Sequence, residues 1–526
     1  MSLPSMSFRA LIPLWLCFLA FGVFFSFVTP LGEGFDEPLH FDYVQRIVQL
    51  RDVPMGNSLN VSREITDFLE TYPVSWGLHE RHPFLLTHEQ YWAQTEQLES
   101  RDRRVRALRF EGEYAEGLSR AARQYESHQP PLYYVLVSPA FAVFSKVLRF
   151  VDTFMALRLL NVLLASAMVP GAFLLARAIF SDDLAASNVA RLVVFFPGLY
   201  PGVIRVSNDA LSAVIVTWML FFLVSFLKKP QPIFLYTVST LLVAGLWTKA
   251  FFIPIAAGVV AAMLCYRHFR ATGIVLVAFA IGLPWYVRTF MITTSLTGLP
   301  ETLAAGSSVV SSAQALSGMD WRNAFNVAVS THIWTGNWSF LGVRSWMYRV
   351  IAWSAFAGTL GLLRKPAQIP RALPALVVLY AAFAGGLVYY ATQVFQAFGL
   401  SIVQGWYLTS FIPVEAVLFV AGLRTLFTAR WQLPALLMQT FLLALLVYSE
   451  LFVAMPYYAG ITSHQADGHL STFHAMPGDF ALISARLWRL HPWVPVFLPW
   501  LLIGSVVAYG LYSIGSDVMR GSRHAR

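Results

Sequence analysis

The feature that most constrains this chain is the recurrence of apolar runs about as long as a bilayer is thick. Crossing a hydrocarbon core of ~30 Å takes about 20 helical residues. Runs of that order lie near residues 9–28, 153–180, 185–206, 208–227, 232–248, 250–266, 272–290, 345–363, 373–391, 405–424, 434–455 and 494–514. Composition agrees, with 57% hydrophobic and 12% charged residues and a mean hydropathy of +0.59, whereas soluble domains carry about 25% charged residues. The expectation is an all-α polytopic membrane protein with about twelve transmembrane helices and juxtamembrane helices in a large first outer loop.

Charge sets the orientation. The formal charge of +9 is spread over short turns instead of forming one basic face, which fits membrane orientation and excludes nucleic-acid binding. Lys228 and Lys229, Arg267 and Arg270, Arg364, Lys365 and Arg371, Arg424 and Arg430, and the tail with Arg520, Arg523 and Arg526 fall on one side. The positive-inside rule makes that side cytoplasmic. Alternation then divides the chain into a first span (1–30), a first outer loop (31–152), a block of spans (153–290), a second outer loop (291–344) and C-terminal spans (345–526). The last block carries further outer segments at 392–404 and 456–493.

The first run follows Arg9, exceeds a signal h-region, and leads into Thr29, Pro30 and Leu31 without a small-residue cleavage site, so it reads as an uncleaved helix. Pro130–Leu148 reads as a juxtamembrane helix in the interface, because counting it as a span would turn the basic turns outward. Cys17 and Cys265 are far apart in or beside apolar runs and indicate neither a disulfide framework nor a cysteine metal site.

Chemistry concentrates in the first outer loop, which holds 17 of the 28 acidic residues between Glu33 and Glu126, and five of the twelve histidines. The polar stretch Glu96–Glu126 reads as a solvated helix. The loop's start is different: Asp36, Glu37, His40 and Asp42 lie just past the membrane exit, with Asp36 and His40 at i, i+4 spacing on the helix that Pro38 announces. Asp36 fits a helix cap as well as it fits a catalytic acid.

Several strings carry a resemblance. GEGFDEPLHFDYV (32–44), SHQPPLYYVL (127–136), RLLNVLLA (158–165), FFPGLYPGVIRVSNDALSAV (195–214), LPWYVRTFMITTSLTGLPE (283–301), GNWSFLGVRSW (336–346) and QGWYLTSFIPVE (404–415) follow one another in order. In this order the chain resembles the GT-C superfamily of polytopic glycosyltransferases. It is similar to the lipid A 4-amino-arabinose transferases, the protein O-mannosyltransferases and their uncharacterised bacterial relatives. Trp406 stands where a basic residue is usual, so no ligand role is carried onto it.

The resemblance implies a sugar donor linked to polyprenyl phosphate, inversion at the anomeric carbon, and a first-loop carboxylate as general base, the position Asp36 matches. It also implies a bacterial inner-membrane location with the site facing the periplasm. Glu37 would support the site, and the resemblance raises Asp209 to a second active-site acid. A departing phosphate needs cations rather than a general acid. Lys249, Arg205, Arg288 and Arg344, at span ends on the outer side, are the candidates, with Lys249 and Arg288 foremost; the alternative for each is a snorkelling anchor.

His40, His128, Tyr133 and Asn208 are candidate substrate contacts. Asp36, Glu37 and Asp209 would suit magnesium or manganese, although the residues do not demand a metal. The acceptor would be a glycan, a lipid or a protein. His464, Asp467, His469 and His474 suggest a lid or acceptor-binding loop, and Glu415 and Glu450 are acids inside spans. A transporter or flippase of a lipid-linked sugar is the alternative function, disfavoured because no internal repeat is evident. No phosphate-cradling glycine loop is present.

A reporter fused after Arg526 that requires the cytoplasm is expected to be active. Activity confined to a periplasmic reporter would overturn the assigned orientation.

Overall fold

The computed structural model describes residues 5–56, 59–114, 123–299, 304, 309–364, 370–465 and 468–524. Residues 115–122 of the polar stretch, Lys365, Asp467 and Arg526 lie outside them. Regular structure among the described residues is helical, with four isolated bridges and no strand.

Among the described residues seven helices are long and apolar enough to cross a membrane: Leu11–Val28, Phe150–Phe180, Asp209–Lys228, Leu373–Phe398, Gly405–Phe427, Gln432–Tyr458 and Phe497–Asp517. The pair Phe269–Gly282 and Pro284–Thr293, bent by 43° where Pro284 opens the second half, passes the same test when taken together as one broken span. The chain is thus a multi-pass helical membrane protein. The expected count of twelve is not reached because several runs form shorter helices. Pro232–Leu246 and Phe252–Cys265 have 15 and 14 residues, or about 22 Å at 1.5 Å per residue, against ~30 Å of hydrocarbon. The run at 185–206 breaks into Asp183–Val194 and Leu199–Val203.

The helix Leu132–Val147 has 16 residues, short of a span. Tyr133, Tyr134, Val137 and Phe141 face inward, while Val135, Leu136, Val143 and Val147 are exposed, as an interfacial helix requires. The polar helix is shorter than expected and ends at Ala107. The chain then runs extended so that Phe110 can enter a cluster with Phe41, Phe141 and Phe150. Elsewhere Ser345–Arg364 packs on Ile412–Phe427 at glycine distance, since a Cβ at Gly361 would stand 2.2 Å from the Gly422 carbonyl oxygen.

One buried ion pair fixes how the first span joins the rest. Arg158, 2% exposed, donates to both oxygens of Glu37 at 2.7 and 2.5 Å and to the carbonyls of Ser26, Thr29 and Pro30. Glu37 also accepts the backbone N–H groups of Gly32 and Val206. The C-terminus of the first span, the turn after it, and the segment before Asp209 therefore meet at one guanidinium. At the opposite end, Arg424 pairs with Asp182 and Arg177 with Asp183, so turns expected on the basic side do gather.

Removing one partner of a buried pair strands the other, at about 3–5 kcal/mol. Glu37→Ala is expected to lower the thermal unfolding midpoint of the detergent-purified protein strongly. Native-like melting combined with lost activity would instead place Glu37 in the chemistry.

Candidate active site

The segments expected on the outer face converge on one cavity of about 1260 Å³. Its wall takes residues from 32–40, 69–82, 123–129, 327–348, 402–407 and 464–473, with Arg205, Asp209 and Lys249 from the span ends. Five cations, Arg81, Arg123, Arg205, Lys249 and Arg344, face three carboxylates, Asp36, Glu126 and Asp209. The excess of positive charge favours an anionic ligand.

Asp36 is placed by its backbone. It precedes the helix Glu37–Leu50 in a left-handed conformation, φ 53°, and its side chain makes no cap hydrogen bond, so the capping alternative does not describe it. A short acid tolerates that conformation better than most residues. Its carbonyl accepts the N–H groups of Leu39 and His40, which starts the helix and sets His40 one turn on, beside it on the cavity wall. Gly34 permits the approach: a Cβ there would stand 2.8 Å from Cβ of Arg205.

Asp209 opens the span Asp209–Lys228. One oxygen pairs with Lys249 and the other with Arg205. Arg205 lies over the Phe35 ring at 5.1 Å, and Phe35 stacks on Trp406 at 4.2 Å, so position 406 contributes a ring to the wall. Nη1 of Arg205 is buried without a hydrogen-bond partner, an orphan donor in the cluster. Lys249 lies 5.4 Å from the Tyr407 ring. Arg344 is exposed on the wall.

The turn Tyr125–His128 supplies the remaining polar groups. The His128 Nδ1 lies 2.7 Å from the Tyr125 carbonyl, and burial lowers its pKa to about 4, so the ring is neutral near pH 7. His40 is also held well below its usual value, by burial and then by Arg205. Glu126 is pushed well above the usual carboxylate range, by burial first and then by the Asp36 charge. Near His464, a 2.8 Å contact to Glu89 and stacking on Trp76 hold the late loop against the first one.

Four expected site residues stand elsewhere. Glu37 does not line the cavity, because both its oxygens are bound by Arg158. Tyr133 is buried and donates to Asn161, whose amide holds the carbonyls of Arg205 and Ser207. Asn208 donates to Gln129 and to the Thr248 carbonyl, tying three wall segments together from behind. Arg288 is exposed outside the cavity, 5.7 Å from the Trp285 ring. The in-span acid Glu415 bonds His332 and Tyr380, each at 2.7 Å.

Glu126 and Arg81 were not singled out from sequence. Glu126 had one available signal, its place two residues before His128 in the SHQPPLYYVL string.

The proposed metal ligands do not fit a cation. Glu37 is saturated by Arg158, and Asp209 by Lys249 and Arg205. Among the described residues no group of three or more His, Cys, Asp or Glu side chains is arranged to hold one.

No protein-family model and no curated protein matches the sequence. Among solved structures, the chain is similar to the Archaeoglobus fulgidus oligosaccharyltransferase in its complex with Zn and sulfate. That likeness has 11% identity and a TM-score of 0.42, over 89% of this chain and 55% of that one. It is also similar to the A. fulgidus oligosaccharyltransferase AglB in complex with an inhibitory peptide and a dolichol-phosphate, at 13% identity and a TM-score of 0.39, over 90% of this chain and 57% of that one. The chain spans little more than half the length of these structures. At such scores the likeness says nothing of chemistry, which rests on the residues.

Lys249→Ala removes a cation from the wall and is expected to weaken binding of polyprenyl phosphate roughly ten- to hundredfold, the range for a charged hydrogen bond of about 1.5–3 kcal/mol. Arg288→Ala is expected to bind like wild type in the same vesicle assay. Equal losses in both variants would restore Arg288 to the site.

Proposed function

We propose that the chain is a membrane glycosyltransferase of the GT-C type, moving a sugar from a polyprenyl-phosphate donor to an acceptor hydroxyl with inversion and with Asp36 as general base. The observation that carries this reading is the single cavity in which Asp36 faces the Asp209–Lys249–Arg205 cluster.

The arrangement suits an in-line displacement. The acceptor oxygen attacks the anomeric carbon while its proton passes to the Asp36 carboxylate. The bond from the anomeric carbon to the phosphate oxygen breaks, and its electron pair leaves on the lipid phosphate. Lys249, Arg205 and Arg344 are the cations on the wall available to that anion. Asp209 keeps Lys249 and Arg205 together at the wall. His40 and His128 supply neutral rings beside Asp36 and the acceptor.

The distribution of basic turns supports a cavity on the side away from the cytoplasm, and the resemblance implies that this is the periplasmic face of a bacterial inner membrane. The acceptor is a glycan, a lipid or a protein. Because the polar groups gather at helix ends and loops, chemistry at the interface is favoured over a transport site, which lies near the bilayer midplane.

Asp36→Asn keeps side-chain shape and hydrogen bonding but removes proton acceptance. Transfer by purified protein from a panel of radiolabelled polyprenyl-phosphate sugars to membrane acceptors is expected to fall about a hundred- to ten-thousandfold, with expression and melting unchanged. Retention of most of the wild-type turnover would exclude Asp36 as the base.

A further inference from the structure

The cavity holds a third carboxylate, which the proposed transfer does not use. Glu126 is 3% exposed and lines the wall. Its Oε2 lies 3.7 Å from Nε2 of His40 and has no hydrogen-bond partner, while the Gln129 side chain bonds the carboxyl. A buried oxygen left open in this way calls for an explanation.

His40 is just as constrained. It is 4% exposed, its Nδ1 is 2.7 Å from the Tyr134 hydroxyl, and the Tyr134 ring stacks on Tyr43 at 3.7 Å. The ring is pinned on one side, and Nε2 points to the acid.

We propose that Glu126 works as a neutral carboxylic acid, a positioning residue that sets its protonated carboxyl 3.7 Å from Nε2 of His40 and so spares Asp36 a second negative charge in the cavity. The inference rests on the reading of Asp36 as the base. Two carboxylates facing one buried space do not both ionise cheaply, so one holds a proton. The groups around Glu126 decide which. Asp36 and Asp209 disfavour its charge, Lys249 favours it, and Arg205, Asp209, Lys249 and His128 surround His40. Lys249 and Arg205 each pair with Asp209, so their charge is shared with that carboxylate. Burial acts in the same direction on both partners, pushing Glu126 up and His40 down, which favours a neutral acid against a neutral ring.

Glu126 keeps its proton through the cycle, and no net transfer passes through it. Raising the pH through its elevated pKa ionises it and sets a second negative charge beside Asp36, which opposes an approaching phosphate.

The test uses full-length protein in nanodiscs with two readouts. In the first, the infrared difference spectrum of wild type minus Glu126→Gln at neutral pH is expected to contain the carbonyl band of a protonated carboxyl, which disappears at high pH. In the second, binding of polyprenyl monophosphate is followed across pH. The wild type is expected to weaken about tenfold as Glu126 ionises, one unit of pKa coupling, whereas Glu126→Gln, which retains a donor, binds like wild type at neutral pH and does not weaken. A difference spectrum without the band, a neutral-pH binding loss in folded Glu126→Gln, or identical pH profiles would overturn the proposal. Glu126→Ala serves for the infrared comparison if the glutamine variant does not fold. A wild type that binds no polyprenyl phosphate at any pH would defeat the reading of the cavity as a lipid-phosphate site, while the infrared band would still judge Glu126.

Discussion

Arg158 sits midway along the largely apolar helix Phe150–Ala165, and what it binds joins the first span to the segments that carry the cavity. A guanidinium buried to this degree is tolerated when its donors are used, and here they reach three carbonyls at the end of the first span and both oxygens of Glu37. Beside the held Glu37, Asp36 takes a left-handed backbone and lines the cavity. The same carboxylate accepts the Val206 amide, so Arg205 and Asp209 are fixed to the same frame. Two adjacent acids thus take opposite parts: one joins the scaffold and the other lines the cavity.

A second level of support is polar and lies behind the wall. Tyr133 and Asn161 hold the carbonyls of Arg205 and Ser207, and Asn208 bridges Gln129 to Thr248. Glu33, bonded to His88 and to the Ser339 amide, ties the first loop to the 336–346 segment. Each of these groups is spent on backbone or amide partners, which is what a rigid site needs and a substrate contact cannot also supply.

Much of this was legible from sequence. The apolar runs revealed a helical membrane protein, and the common face of the outer segments followed from the basic turns. Asp36, His40, His128, Asp209, Lys249, Arg205 and Arg344 are at the cavity. What was not legible depends on partners distant in sequence. Glu37 and Asp36 are neighbours of the same chemistry, and nothing local says which one faces Arg158, 121 residues on. Arg158 itself was visible as a charge within an apolar run, a signal of function or structure, but the string around it drew attention to its order and not to its charge. Arg288 has the sequence profile of Lys249, a cation at a span end. The turn after Leu246 carries Lys249 into the wall, whereas the helix from Pro284 leaves Arg288 outside. Run lengths do not register where helices break or shorten, as at Pro197 and at Pro284.

The central claim is that the cavity brings a lipid-phosphate sugar and a proton-accepting Asp36 together. Native mass spectrometry of wild type and Asp36→Asn loaded with polyprenyl-phosphate sugars and membrane-derived acceptor tests it most directly. The account expects the variant to carry intact donor and the wild type to carry polyprenyl phosphate without its sugar. Donor consumed equally by both proteins, or retained by neither, would contradict it.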